Sequence, residues 1–195
     1  PSLIVWPANA DQISKLIKSA SKHKIAITPY GGGSSVCGGA IAYNGGMILD
    51  LKRLNKIHHI SSKRLYIDVE PGILGQNLEI ELAKHQLTLG HFPSSIYTAS
   101  LGGLLATRSA GQLSSKYGKI EDMVIDLECV DGKGRIHQTK DVSLVPGLDF
   151  TQALVGCEGT LGIITKARLK VYPKPSNRIF KTYNFSQMIY GMEAL

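Results

Sequence analysis

Apolar positions along this chain come in short runs separated by glycine, proline and lysine, and the period changes from one run to the next. Leu3 to Trp6 reads as a brief strand. Ile13, Leu16, Ile17 and Ala20 then recur at helical spacing, which predicts an amphipathic helix capped by Asp11. Lys22, His23 and Lys24 close it with cations, as the negative end of a helix favours. Ile25 to Thr28, Met47 to Leu51 and Asn55 to Ile60 predict strands, and Leu65 to Val69 alternates clearly before the turn Glu70-Pro71-Gly72. A helix is predicted over 74–85, with Leu74, Leu78, Ile80, Leu82 and Ala83 on its buried side.

Leu101 to Ala106 is small and apolar and predicts a short, closely packed helix. Met123 to Val130 and Arg135 to Thr139 predict a hairpin around Asp131-Gly132-Lys133-Gly134. Thr151 to Leu154 reads as one helical turn, and Ile163 to Val171 as a strand ended by Pro173 and Pro175. Phe180 to Phe185 predicts a further strand, after which Ser186 would cap an apolar helix running to Leu195. Short strands mixed with helices and hairpins place the chain in the α+β class.

Composition narrows this picture only a little. The 195 residues are 43% hydrophobic and 19% charged, ordinary for a globular protein and wrong for a disordered one. The net charge is +7, but Lys15, Lys18, Lys22, Lys24, Lys52, Lys56 and Lys63 are scattered and not interleaved with aromatics. That argues against nucleic acid as a partner. Cys37, Cys129 and Cys157 suit neither a disulfide framework nor a zinc site, so no metal is expected and the thiols read as those of a reduced, cytoplasmic protein. No apolar run is long enough to span a bilayer.

Glycine carries the candidate chemistry. Pro29-Tyr30-Gly31-Gly32-Gly33-Ser34-Ser35 follows a predicted strand, and Gly156-Cys157-Glu158-Gly159-Thr160-Leu161-Gly162-Ile163-Ile164 lies far downstream. Such turns permit positive φ and close approach to a ligand, and their successive N–H groups can converge on an anion. The first turn is neither a Rossmann fingerprint nor a Walker loop, because no helix opens directly behind it and no Gly-Lys-Ser/Thr follows. Between the two lies a hydroxyl-rich stretch, Ser94-Ser95-Ile96-Tyr97-Thr98-Ala99-Ser100, running into Leu101-Gly102-Gly103. Two glycine turns and a wall of donors suggest one elongated ligand gripped at several points.

Together with Thr107-Arg108-Ser109-Ala110-Gly111 and Lys116 to Val124, these segments occur in the order typical of one family. The chain resembles the FAD-binding domain of the vanillyl-alcohol oxidase/p-cresol methylhydroxylase flavoproteins, and within them the alkylglycerone-phosphate synthases and their bacterial FAD-linked oxidase relatives. The resemblance implies two α+β subdomains with FAD between them, over residues 1–175. Residues 176–195 are then expected to open a truncated substrate-capping domain, where the family's acid/base groups reside, so no catalytic residue is assigned here.

Carried over by position, Pro29, Tyr30, Gly31, Gly32, Gly33, Ser34 and Ser35 match the loop that holds the FAD diphosphate. Ser94, Ser95, Ile96, Tyr97, Thr98, Ala99 and Ser100 match the segment along diphosphate and flavin. Thr107, Arg108, Ser109 and Ala110 match a further cofactor contact. Glu158, Gly159, Thr160, Leu161, Gly162, Ile163 and Ile164 match the second glycine-rich contact. Some relatives tether the flavin through a histidine near the first turn; here Ser34 and Ser35 follow Gly33, so the FAD is expected to dissociate.

Arg108 invites two readings, a bidentate ligand for a substrate phosphate or carboxylate, or a salt bridge to Glu121 or Asp122. His91 reads mainly as a hydrogen-bonded structural histidine, with titration near the flavin as the alternative. The resemblance implies a flavin-dependent oxidoreductase. Its alternatives are a transferase exchanging acyl for alkyl on dihydroxyacetone phosphate without net redox change, and a non-catalytic flavin-binding subunit. The implied substrate is a small molecule or lipid-like, and a homo-oligomer is possible.

Overall fold

A computed structural model describes residues 1–141 and 149–194. Mixed helix and sheet fill it, as an α+β reading requires. The N-terminal unit is a parallel sheet in the order β1 (Leu3–Val5), β3 (Met47–Asp50), β2 (Ile27–Tyr30), with helix α1 (Ala10–Lys22) crossing between β1 and β2. The central strand, β3, buries Met47, Leu49 and Asp50. The Asp50 carboxylate accepts the Trp6 indole N–H at 2.9 Å and the Lys52 N–H at 3.1 Å, which satisfies a charge the sheet would otherwise strand.

Asn9, not Asp11, caps α1. The Asn9 Oδ1 accepts the Gln12 N–H at 2.9 Å while the Gln12 Oε1 accepts the Ala8 N–H at 2.8 Å, a reciprocal box that outcompetes a lone aspartate. Asp11 instead sits in the first turn, where its charge favours the helix dipole. Ile13, Ile17 and Ala20 are buried as their spacing predicts, and the Ser14 hydroxyl donates to the Gly134 carbonyl at 2.6 Å.

The larger unit is an antiparallel sheet in the order β4 (Ile57–Ser61), β5 (Tyr66–Val69), β9 (Gly162–Lys170), β7 (Val124–Asp131), β8 (Ile136–Gln138). Asp68 and Arg168 face each other across β5 and β9 in a two-pronged pair at 2.7 and 2.8 Å that pins the register, and the guanidinium holds the Asp68 carboxyl below its usual range. Helices α2 (Gly75–Lys84), α3 (Leu101–Ala106), α4 (Ser114–Tyr117), α5 (Ile120–Met123) and α6 (Phe150–Leu154) accompany this sheet. Leu78, Leu82, Leu101 and Leu105 pack with Ile67 and Leu169 into the main core. Val130 and Ile163, from the same sheet, instead complete the smaller core beneath α1 and β3, which joins the two units.

Four local expectations give way. Met123 ends α5 and does not begin a strand. Pro173 does not merely end β9: β10 (Tyr172–Pro173) pairs with β6 (Leu87–Thr88), an edge position where a missing N–H costs little. Phe180 to Phe185 forms no strand; the segment is irregular and exposed, with no ladder partner among the described residues. Alternation makes a strand only where a neighbour supplies hydrogen bonds. Helix α7 (Met188–Glu193) follows without the side-chain cap expected of Ser186, and Leu195 lies outside the described residues. No helix among the described residues is long and apolar enough to cross a membrane.

Candidate functional site

Between the two units opens a cleft of about 420 Å³, within the usual range for small-molecule sites. Its walls combine both glycine turns. Pro29 through Ser35 form one side, Glu158, Gly159, Gly162, Ile163 and Ile164 another, and Ser95, Ala99, Ser100, Thr107 and Ser109 the floor between. The segments that sequence order placed over a hundred residues apart therefore share one cavity.

Each glycine of the first turn serves a different need. Gly33 has φ +66°, in the left-handed region. Gly32 approaches the backbone of Thr98 so closely that a Cβ there would lie 2.9 Å from the Thr98 carbonyl carbon, and Gly31 packs on the Ser100 side chain. The turn is thus pressed onto the hydroxyl-rich stretch. Among the described residues, no hydrogen bond is donated by the N–H of Gly32, Gly33, Ser34 or Ser35, which leaves a row of donors for a ligand on that wall.

The second turn is sewn to α3: Gly156 N–H donates to the Leu105 carbonyl at 3.0 Å and Glu158 N–H to the Ala106 carbonyl at 3.1 Å. Gly159, at φ +80°, then seats directly against the Pro29 ring. Among the described residues, no lysine or arginine lines the cleft. An anion held there is neutralised by amide dipoles and hydroxyls and not by ion pairs. Leu51, Ala99, Leu104, Ile163 and Ile164 add apolar surface suited to a flat ring. A row of free amides beside an apolar slot fits a molecule with a charged bridge and an aromatic end.

Several sequence candidates do not line the cleft. Ser94, Tyr97, Ala110 and Leu161 are exposed elsewhere, Ile96 is buried against Gly75, and Thr98 contributes only its backbone behind Gly32. The Thr160 hydroxyl donates to the Cys157 carbonyl at 2.6 Å and shapes the second turn from within. The Arg108 guanidinium does not face the cavity; it donates to the Gln152 carbonyl, lies 3.8 Å from Glu121 and packs over Gly156. The ion pair to Glu121 expected in one of its two readings is present.

Residues outside the assigned site positions also line the walls: Val36, Cys37, Gly39 and Ala40 from the loop after the first turn, and Gly102, Gly103, Leu104 and Ala106 from α3. The Gly-Gly at 102–103 was legible as a close-approach signal. The exposed Val36 carries no such mark. His91 lies behind Ser109, 2% exposed, its Nε2 3.1 Å from the Ser109 Oγ, and burial depresses its pKa to about 4 against the opposing field of Glu121.

A family described as the FAD binding domain matches residues 1–140. This chain belongs to that family. FAD is its cofactor, and the amide-lined wall and apolar slot supply what that molecule needs. Relatives of this FAD-binding chain include the alkyldihydroxyacetonephosphate synthase of Caenorhabditis elegans, 36% identical over 98% of the chain and 33% of the relative. They also include the glycolate oxidase subunit GlcD of Bacillus subtilis, 36% identical over 91% of the chain and 38% of the relative. The mitochondrial D-lactate dehydrogenase [cytochrome] of Arabidopsis thaliana is 33% identical over 95% and 33% respectively. A solved alkyldihydroxyacetonephosphate synthase superimposes with a TM-score of 0.79 at 35% identity, covering 89% of this chain and 34% of that one. The FAD-binding chain spans about a third of the length of these relatives.

Proposed function

We propose that this chain is the cofactor-holding part of a flavin-dependent oxidoreductase that binds FAD without a covalent link. The observation that carries the reading is the convergence of Gly31 to Ser35 with Glu158, Gly159 and Gly162 on one cleft, where the N–H groups of Gly32 to Ser35 have no acceptor among the described residues. When bound, the isoalloxazine supplies the electron chemistry. The chain's own work is to hold and orient it. Gly32, Gly33, Ser34 and Ser35 receive the diphosphate, Ser95, Ser100, Thr107 and Ser109 offer hydroxyls along its length, and Ile163 and Ile164 exclude water from the slot.

Arg108 braces the second turn through Gln152 and Glu121 and so acts on the cofactor indirectly. A dissociable cofactor agrees with the absence of histidine from the first turn; His23, the nearest upstream, bonds the Ser19 carbonyl at the end of α1. Residues 1–175 form the proposed FAD-binding domain and 176–195 the opening of a substrate-capping domain, in line with the exposed apolar side chains of Ile179, Phe180 and Met188. Three free cysteines accord with a reducing, cytoplasmic setting.

The likeness to alkyldihydroxyacetonephosphate synthases over nearly the whole chain favours a second reading, a transferase exchanging acyl for alkyl on dihydroxyacetone phosphate. One experiment separates them. The full-length protein is purified with its flavin and mixed with a 2-hydroxy acid, then separately with acyl-dihydroxyacetone phosphate and a fatty alcohol. Lasting bleaching of the visible flavin band by the hydroxy acid supports the oxidoreductase; ether product with the band restored supports the transferase. A purified protein that takes up no FAD refutes both.

A further inference from the structure

His91 is the most deeply buried ionisable ring near the cleft, and its surroundings are lopsided. Its Nε2 meets the Ser109 Oγ at 3.1 Å, whereas its Nδ1 is buried with no partner among the described residues. Ser109 is held at both ends of its backbone: its N–H donates to the Leu104 carbonyl at 3.1 Å and its carbonyl accepts the Ile120 N–H at 3.2 Å. Ser109 lines the cleft. Glu121, whose charge the ring feels, has its Oε1 taken up by Lys119 and Arg108; its Oε2 is buried without a partner among the described residues, and neither oxygen makes a hydrogen bond to the ring.

A neutral imidazole carries one N–H. On Nδ1 that hydrogen would be a buried donor with no acceptor, an arrangement proteins rarely tolerate; on Nε2 it donates to the Ser109 oxygen. Once its oxygen accepts from His91, the Ser109 hydroxyl has its own hydrogen to place. The nearest protein acceptor is the Ala110 carbonyl at 3.4 Å, a long contact. The better direction is into the cleft.

We propose that His91 is a positioning residue that fixes the Ser109 hydroxyl as a hydrogen-bond donor to FAD. This rests on the FAD reading above. His91 never touches the cofactor. It sets the polarity of the group that does, and it keeps that polarity because burial holds the ring uncharged.

Two measurements on the whole chain test this. The first is the ¹⁵N NMR spectrum of the histidine rings without FAD, which reads the tautomer directly: an Nε2–H signal with bare Nδ1 is expected for His91, and an Nδ1–H signal overturns the proposal. The second is a double-mutant cycle on FAD affinity, followed by flavin fluorescence. Ser109→Ala and His91→Leu are each expected to weaken binding about tenfold, the double variant no more than Ser109→Ala alone, and His91→Gln, which keeps a donor, less than about threefold. Additive losses in the double variant would mean His91 acts through packing and would overturn the proposal. An Nε2–H tautomer in a wild-type chain that binds no FAD would refute the parent reading, and this one with it.

Discussion

Gly159 rests on Pro29: a Cβ on the glycine would stand 2.7 Å from the proline Cγ. This contact joins the two glycine turns, and it leaves room for no side chain on either the packing or the backbone account, since φ at Gly159 is +80°. The cleft exists because these two positions can touch.

Gly159→Val and Gly32→Val should therefore each abolish measurable FAD binding, a loss of at least about a hundredfold in affinity, with modest thermal destabilisation from strain in the turns. Flavin absorbance of the purified variants, beside their melting curves, checks this. Normal flavin content in either variant would show that the turns do not form the binding wall.

Arg108→Ala should weaken FAD binding about tenfold in this chain on its own, because Gly156 to Gly159 would lose the guanidinium that ties them to Gln152 and Glu121. Arg108→Lys should not restore it, since an ammonium cannot span the two partners. Titration with FAD decides the matter. Unchanged affinity in Arg108→Ala would return the residue to its other reading, a ligand for a substrate anion.

The three thiols report the cofactor's footprint without any mutation. Cys37 and Cys157 line the cleft, and FAD should slow their alkylation several-fold at saturation. Cys129 is 1% exposed, with its thiol pushed up to about 11 by burial, and should react only on unfolding. Mass spectrometry of the alkylated chain resolves the sites. Equal rates with and without FAD at Cys37 would place the cofactor elsewhere.

Acid should destabilise the fold through His91. Its ordinary pKa of 6.5 applies to the unfolded chain, whereas the buried ring takes a proton only near 4. The contribution is complete above pH 6.5 and is lost as pH falls toward 4, at up to about 1.4 kcal/mol per unit within that window. Glu121 acts on the ring with Lys119 and Arg108 beside it; burial pushes its carboxyl up, but the Lys119 and backbone hydrogen bonds and the Lys119 and Arg108 charges together hold it below its usual range. Glu79, which accepts the N–H of Leu89 and Gly90, is pushed upward by burial and acts with the opposite sign. Urea unfolding of wild type and His91→Gln from pH 4 to 7 isolates the histidine, and a flatter profile is expected in the variant. Parallel profiles would mean that His91 is as protonated folded as unfolded.

Residue order alone determined much of this molecule. Periodicity placed α1, α2, β3, β5 and β9 within a residue or two, because those runs answer to spacing and turn chemistry within a few residues. The hydroxyl-rich and glycine-rich segments were legible as ligand-facing for the same local reason. What tertiary structure alone decided is which of them face one another. The packing of Ile163 in one core with Leu49 and Leu51 brings the second turn beside the first, and no pattern within either segment encodes that meeting. Long-range pairing also chose Gln152 and Glu121 for Arg108, left Phe180 to Phe185 without a neighbouring strand, and set His91 behind Ser109. Local conformation is written in neighbouring side chains; the partners of a donor depend on where the whole chain buries its apolar faces.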